Sequence, residues 1–156
     1  MLVKITVENF KSFNNQAELT MISSSKIRKN NQHKTTIKKI NLLKSTVIYD
    51  ANESGKSNLI EILRFMKFCV TKQIPLGAKQ MYGRNRIENI DKEAVFEVQI
   101  TKNNKFYVYG FSVILNKRII VSEWHMNCFL VVMRKCFLKE KKASFQKKYT
   151  QIFLKK

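Results

Sequence analysis

The sequence predicts an α/β fold in which a mixed sheet packs against one main helix and continues into an antiparallel meander. Three observations lead to this prediction. Alternating strand patterns open the chain, an apolar β-branched run stands directly before a helical pattern, and three further strand patterns follow at hairpin spacing. With 156 residues, 44% of them hydrophobic, the chain is long enough to form a globular domain with its own core.

The first predicted element is a β-hairpin. Val3, Ile5 and Val7 alternate with polar residues, NFKSFNN supplies a turn, and AELTMI alternates again. The stretch from Ser23 to Lys44 is polar, with seven basic and no acidic side chains. We expect it to form a solvated connection, and a basic loop over phosphates or nucleic acid is the functional alternative.

The middle of the chain predicts a strand, a loop and a helix. The run TVIY at 46–49 has no polar face, which indicates a strand buried on both sides, as in a parallel sheet. A helix is expected from near Gly55 to about Lys72, because apolar residues recur there at helical spacing. Its predicted buried face consists of Leu59, Ile62, Leu63, Met66 and Val70.

Three meandering strands are predicted after the helix, at 94–100, 106–115 and 118–124, with TKNNK and NK as their turns. After Trp124 the periodicity is lost, and the remaining stretch carries nine basic residues against one acidic residue. The predicted division is therefore a folded lobe at 1–124 and a basic tail of uncertain structure at 125–156.

The charge and the cysteines bear on partners and location. A formal net charge of +19 favours polyanions such as nucleotides or nucleic acid, while a lysine-rich composition without a binding role is the alternative. The three cysteines form no C-x-x-C pair, the opening residues alternate instead of forming an apolar leader, and the longest apolar run, CFLVVM, is too short to span a bilayer. We expect a soluble cytoplasmic protein with no membrane contact.

A phosphate-loop motif lies between the apolar run and the helix. DANESGKS at 50–57 matches G-x-x-x-x-G-K-[ST] except that Asp50 replaces the first glycine. In such a loop, backbone N–H groups and the helix N-terminus face phosphate oxygens, Lys56 would reach the β- and γ-phosphates, and the Ser57 hydroxyl would bind Mg²⁺. The motif therefore predicts ATP and Mg²⁺ as cofactors, although Asp50 adds a carboxylate to the mouth of an anion site.

Three segments in order resemble the N-terminal part of bacterial AAA-annotated, ABC-type ATPases akin to the RecF, SMC and OLD nuclease heads. They are MLVKITVENFKSF, NLLKSTVIYDANESGKSNLIEILRFMK and AVFEVQITKNNKFYVYGFSVILNKRIIVSEW, which together span roughly residues 1–124. The resemblance implies a P-loop NTPase lobe and roles for its relatives in DNA repair or phage defence. The residues implied to bind nucleotide are Asn52, Glu53, Ser54, Gly55, Lys56, Ser57 and Asn58 in the loop, and Lys11 and Ser12 in the turn after the first strand.

The same resemblance implies parts that this sequence does not contain. The family has a signature motif, a Walker B strand ending in Asp-Glu and a switch histidine in a later half of the chain. We therefore name no catalytic residue and expect ATP binding without hydrolysis by this chain alone, from a truncated or frame-shifted copy. The alternatives are one half of a two-piece ATPase, with its other lobe encoded separately, and a non-catalytic basic module that binds nucleic acid.

Overall fold

The computed structural model describes residues 1–24, 31–49, 55–72, 74 and 91–128 of the chain. These residues form two antiparallel sheets and one helix, so the predicted α/β class is confirmed at that level. The larger sheet has five strands in the order β2-β1-β5-β6-β7, and the smaller pairs β3 with β4. The elements are β1 (Leu2–Glu8), β2 (Ala17–Thr20), β3 (Lys34–Ile37), β4 (Ile40–Leu43), α1 (Lys56–Thr71), β5 (Ala94–Lys102), β6 (Lys105–Ile114) and β7 (Ile119–Cys128).

The predicted opening hairpin and the predicted meander are both present. β1 pairs antiparallel with β2 on one side and with β5 on the other. β5, β6 and β7 follow one another as antiparallel neighbours, and Asn103 and Asn104 make the first turn with φ of 51° and 56°. Asparagine tolerates this left-handed conformation better than most residues, so the alternating strands and the turn residues together determine the hairpin. β7 continues past Trp124 to Cys128, and residues 129–156 of the predicted tail lie outside the described residues.

Helix α1 forms where the sequence predicts it, but it buries a different face. Ile62, Phe65 and Met66 are buried, whereas Leu63 and Val70 are 41% and 58% exposed. Successive helical residues are about 100° apart, so Leu63 and Val70 lie on the flank of the stripe centred on Ile62. The prediction was wrong for these two residues because the apolar residues of α1 cover more than one face, and contact with the sheet selects the face that carries Phe65.

The face of the large sheet under α1 holds an aromatic core. Phe10, Phe65, Phe96 and Phe111 form a chain of ring contacts with centroids 5.0–5.2 Å apart. Ile5 and other buried aliphatic residues of the sheet complete this cluster. Aromatic pairs at such distances contribute packing energy beyond the burial of their area, so these contacts hold α1 on the sheet.

The opposite face of the sheet is covered by the β3–β4 hairpin. Its Leu42 is fully buried against Val3, Phe106 and Val108. The expectation of a solvated connection at 23–44 is therefore wrong for the residues of this hairpin. The apolar residues that anchor it are few and are separated by lysine, threonine and asparagine, so the composition suggested a loop. Ile40 and Leu42 are nevertheless two residues apart, which is the spacing of side chains on one face of a strand.

The predicted buried strand at 46–49 is not formed. Residues 45–49 have no regular secondary structure, and Val47, Ile48 and Tyr49 are 69%, 44% and 88% exposed. Each strand pairing in the described residues is antiparallel, and both edges of β1 are taken by β2 and β5. No parallel pairing occurs among the described strands, so the mixed sheet of the prediction is an antiparallel sheet here.

No helix in the described part of the chain is long and apolar enough to cross a membrane.

Candidate functional site

The candidate site lies at the N-terminus of α1. Gly55 is the N-cap, with a left-handed φ of +94°, and the first helical residue is Lys56. The Asn58 backbone N–H donates to the Gly55 carbonyl at 3.0 Å, no side chain caps the helix, and its first turn carries no acidic residue. The first-turn N–H groups and the helix dipole give this end a positive partial charge, which favours anions.

The turn after β1 is held by its own backbone. Phe10 and Phe13 exchange two backbone hydrogen bonds of 3.0 and 2.9 Å. Lys11, between them, has a left-handed φ of 50°, which a non-glycine residue adopts only at a cost. Phe10 is fully buried in the aromatic core, so the turn that carries Lys11 and Ser12 is anchored to the same cluster as α1.

This turn packs directly on the start of the helix. The Asn58 side-chain Nδ2 donates a hydrogen bond of 2.9 Å to the Ser12 Oγ. A Cβ added to Gly55 would lie 2.6 Å from the same Ser12 Oγ. Glycine is therefore required at position 55 for two reasons, the positive φ and the close approach of the turn.

The Lys11 ammonium lies beside the second turn of α1. Its Nζ is 3.7 Å from Glu61 Oε2, and Glu61 Oε1 also accepts a hydrogen bond of 2.9 Å from Arg64. Both members of the Lys11–Glu61 pair are partly exposed, so the pair contributes little to stability. The role of Glu61 was missed at the level of sequence. Its position three residues after Asn58 places it on the helix face that meets the turn.

A cavity of about 190 Å³ opens beside this helix end. Its walls are mostly apolar side chains, chiefly of β1, β2 and α1, and Glu18, Gly55 and Lys56 also line it. Apolar walls supply no hydrogen-bond donors for phosphate oxygens. Any donors for a phosphate group would therefore have to come from the helix N-terminus, Lys56 and the loop before it.

The structure thus brings together six of the nine predicted nucleotide-binding residues, namely Lys11, Ser12, Gly55, Lys56, Ser57 and Asn58. The other three, Asn52, Glu53 and Ser54, lie outside the described residues together with Asp50. Ser57, the predicted Mg²⁺ ligand, is exposed at the first turn of α1. In the described ranges no group of three or more His, Cys, Asp or Glu could hold a metal, but Mg²⁺ bound with a nucleotide takes most of its ligands from phosphate and water.

Two side chains with displaced pKa values lie away from this site. Burial raises the pKa of the Cys69 thiol, on α1, to about 11. Burial, together with the hydrogen bond of 2.9 Å that the Tyr109 hydroxyl donates to Glu123, raises the pKa of Tyr109 above its usual value. Both groups stay neutral near pH 7, and neither belongs to the candidate site.

Comparison of the chain with models of protein families, with curated proteins and with solved structures finds no match.

Proposed function

We propose that this chain binds the phosphates of Mg·ATP at the N-terminus of α1, as the nucleotide-binding lobe of an ABC- or SMC-type ATPase. The observation that carries the proposal is that the turn after β1, residues 9–13 (the 9–13 turn), packs on Gly55, the N-cap of α1. The predicted loop and the predicted turn are about 45 residues apart in sequence, and Ser12 and Asn58 meet through a side-chain hydrogen bond.

The chemistry of this helix end suits a phosphate group. A left-handed glycine begins the helix with no side-chain cap on its first N–H groups, and Lys56 adds a full positive charge beside them. The Ser57 hydroxyl, exposed on the same turn, would be the protein's ligand for Mg²⁺. When bound, Mg²⁺ would neutralise part of the phosphate charge.

The proposed role is binding and not turnover. Glu61, which contacts Lys11 of the 9–13 turn, is also paired with Arg64 and lies on the second helical turn. Phosphoryl transfer also requires a positioned water and a second cationic clamp. In this proposal those groups are supplied by another lobe.

The test is Mg·ATP binding to the full chain, measured by isothermal titration calorimetry, with Lys56→Ala compared with Lys67→Ala. Both variants remove one lysine from α1, but Lys67 is exposed near the other end of the helix. Loss of a charge-assisted contact of about 1.5–3 kcal/mol should weaken binding by Lys56→Ala roughly tenfold or more. Lys67→Ala should bind as the wild type does.

Equal affinities for the two variants, or no saturable binding by the wild type, would refute the proposed site. Phosphate release with Mg·ATP should stay at the background rate. Turnover that Lys56→Ala abolishes would keep the site but refute the restriction to binding.

A further inference from the structure

The β3–β4 hairpin presents an acid-free, basic surface on the face of the sheet opposite α1. The sequence contains no Asp or Glu from Leu19 to Tyr49, while the described part of this stretch carries Lys34, Lys38, Lys39 and Lys44. Elsewhere in the described residues acids lie among the basic side chains, as at Glu61 and Asp91, each of which pairs with a lysine. The hairpin therefore concentrates positive charge in one small element.

The hairpin is oriented by its apolar side. Thr35 is paired with Leu42 and Ile37 with Ile40, and Leu42 is fully buried against the large sheet. Because side chains alternate along a strand, the intervening pair, Thr36 and Asn41, faces solvent. Both are exposed, and the Thr36 hydroxyl donates a hydrogen bond of 2.7 Å to the Asn41 side-chain oxygen.

The tip of the hairpin has two lysines in a left-handed conformation. Lys38 and Lys39 have φ of 45° and 71°. The equivalent turn between β5 and β6 has Asn103 and Asn104, which tolerate positive φ well. Lysine at a positive φ costs conformational energy, and strain of this kind is concentrated at functional sites.

A backbone hydrogen bond also joins the two chain ends of the hairpin opposite its turn. The Lys44 backbone N–H donates to the His33 carbonyl at 2.9 Å, which places Lys44 beside the start of β3 and Lys34. Basic residues therefore stand at both ends of a four-residue ladder about 13 Å long. The Thr36–Asn41 pair lies between them, and since the Thr36 hydroxyl donates to the Asn41 side-chain oxygen, the Asn41 amide N–H groups are the donors that can reach phosphate oxygens.

We propose that the tip and solvent face of the β3–β4 hairpin bind the phosphate backbone of a nucleic acid. Lysine, threonine and asparagine are residue types that contact phosphate oxygens without reading sequence. An anionic membrane is the less suitable partner, because membrane-surface elements insert apolar residues, and none of the described residues from 31 to 44 is an exposed large hydrophobic. The binding is electrostatic and independent of base sequence.

This surface is independent of the proposed nucleotide site. α1 packs against the cluster that contains Phe96, and the hairpin packs against the cluster that contains Val108, on the other side of the sheet. A mutation that abolishes nucleotide binding at α1 should leave nucleic-acid binding by the hairpin intact, and the reverse should also hold.

The experiment measures binding of the full chain to a short fluorescently labelled DNA duplex by anisotropy, over about 50–200 mM salt. The test variant is Lys38→Gln/Lys39→Gln. The matched control is Lys102→Gln/Lys105→Gln, which removes the same charge from exposed residues at another hairpin tip.

Two lost phosphate contacts should reduce the slope of log affinity against log salt by about two and weaken binding at low salt roughly tenfold or more. The control should change the slope by less than one. Lys38→Arg/Lys39→Arg should retain the wild-type affinity, because the charge and not the lysine side chain is required.

Three results would overturn the proposal: equal losses in the test and control variants, loss of affinity in the arginine variant, or no salt-dependent DNA binding by the wild type. Binding to phosphatidylserine vesicles that depends on Lys38 and Lys39, without DNA binding, would assign the surface to a membrane instead. Thermal unfolding followed by circular dichroism checks that each variant is folded.

Discussion

The two faces of the five-stranded sheet are covered in different ways. On one face a sixteen-residue helix packs through an aromatic cluster centred on Phe96. On the other, a hairpin of two four-residue strands is held by a smaller aliphatic and aromatic cluster around Leu42. The difference shows how the same sheet can support a deep, well-packed face that positions a helix end and a thinner face that presents a charged hairpin.

Each face also contains one glycine at which a side chain would not fit. Gly55 faces the Ser12 hydroxyl at the start of α1, and it has a positive φ as well. Gly110 lies on the hairpin side, under the Trp124 indole, whose Nε1 donates a hydrogen bond of 3.0 Å to Glu97. The first glycine is required by backbone conformation and contact, and the second by contact alone.

The largest expected effect is a loss of stability that differs between the Phe96 cluster and the Leu42 cluster. Phe96→Ala should lower the free energy of unfolding by about 4 kcal/mol, because it removes the ring that contacts three other aromatic rings. Leu42→Ala should cost less, about 3 kcal/mol, because its cluster is smaller. Urea denaturation of the full chain measures both values. A larger loss for Leu42→Ala would reverse the ranking of the two faces.

The next effect concerns the two glycines. Gly110→Ala should cost about 2 kcal/mol, since the added Cβ overlaps the Trp124 indole and forces the ring to move from Glu97. Gly55→Ala should cost about 1–2 kcal/mol, from the left-handed φ together with the approach of Ser12. The same urea titrations measure these losses.

A double variant distinguishes the two causes at Gly55. Ser12→Ala removes the Oγ that an added Cβ would meet at 2.6 Å, but leaves the φ of +94° unchanged. The cost of Gly55→Ala should therefore fall, without vanishing, when it is measured in the Ser12→Ala background. An unchanged cost would show that the turn does not contact the helix cap as described.

The last prediction concerns chemical reactivity on the α1 face and not stability. With Cys128 and Cys136 replaced by serine, Cys69 should react with iodoacetamide at pH 8 about ten- to a hundredfold more slowly than a thiol with a pKa of 9.0. Its pKa of about 11 lowers the thiolate fraction about a hundredfold, and the greater nucleophilicity of a more basic thiolate offsets at most about tenfold of that. The rate should rise with pH until about pH 11. A profile that levels off near pH 9 would show that α1 does not bury this thiol.

The strand patterns and α1 were predictable because they depend on local signals. Alternation at Val3, Ile5 and Val7 predicted β1, and helical spacing after Gly55 predicted α1 within a residue or two. The asparagine pair at 103–104 predicted the β5–β6 turn for the same reason. The grouping of Gly55, Lys56 and Ser57 was likewise visible as a motif, although its loop at 50–54 lies outside the described residues.

Other features were not predictable because they depend on which apolar surfaces meet. TVIY has the composition of a buried strand, but it pairs with no described strand, and Val47 and Tyr49 remain exposed. The lysine-rich hairpin has the composition of a loop, but its Leu42 packs against the large sheet. In both cases the composition described the segment correctly, but it did not show whether another part of the chain would pack against that segment.

The sequence by itself therefore determined where β1, β2, β5, β6, β7 and α1 form, and it singled out the residues that could face a phosphate, since periodicity and residue type are local properties. Only the tertiary structure decided that α1 buries Phe65 instead of Leu63, and that Ser12 contacts the helix cap. It also decided that the lysine hairpin and the helix end lie on opposite faces of one sheet. Those outcomes depend on competition among distant apolar surfaces for the same neighbours, which no short window of sequence contains.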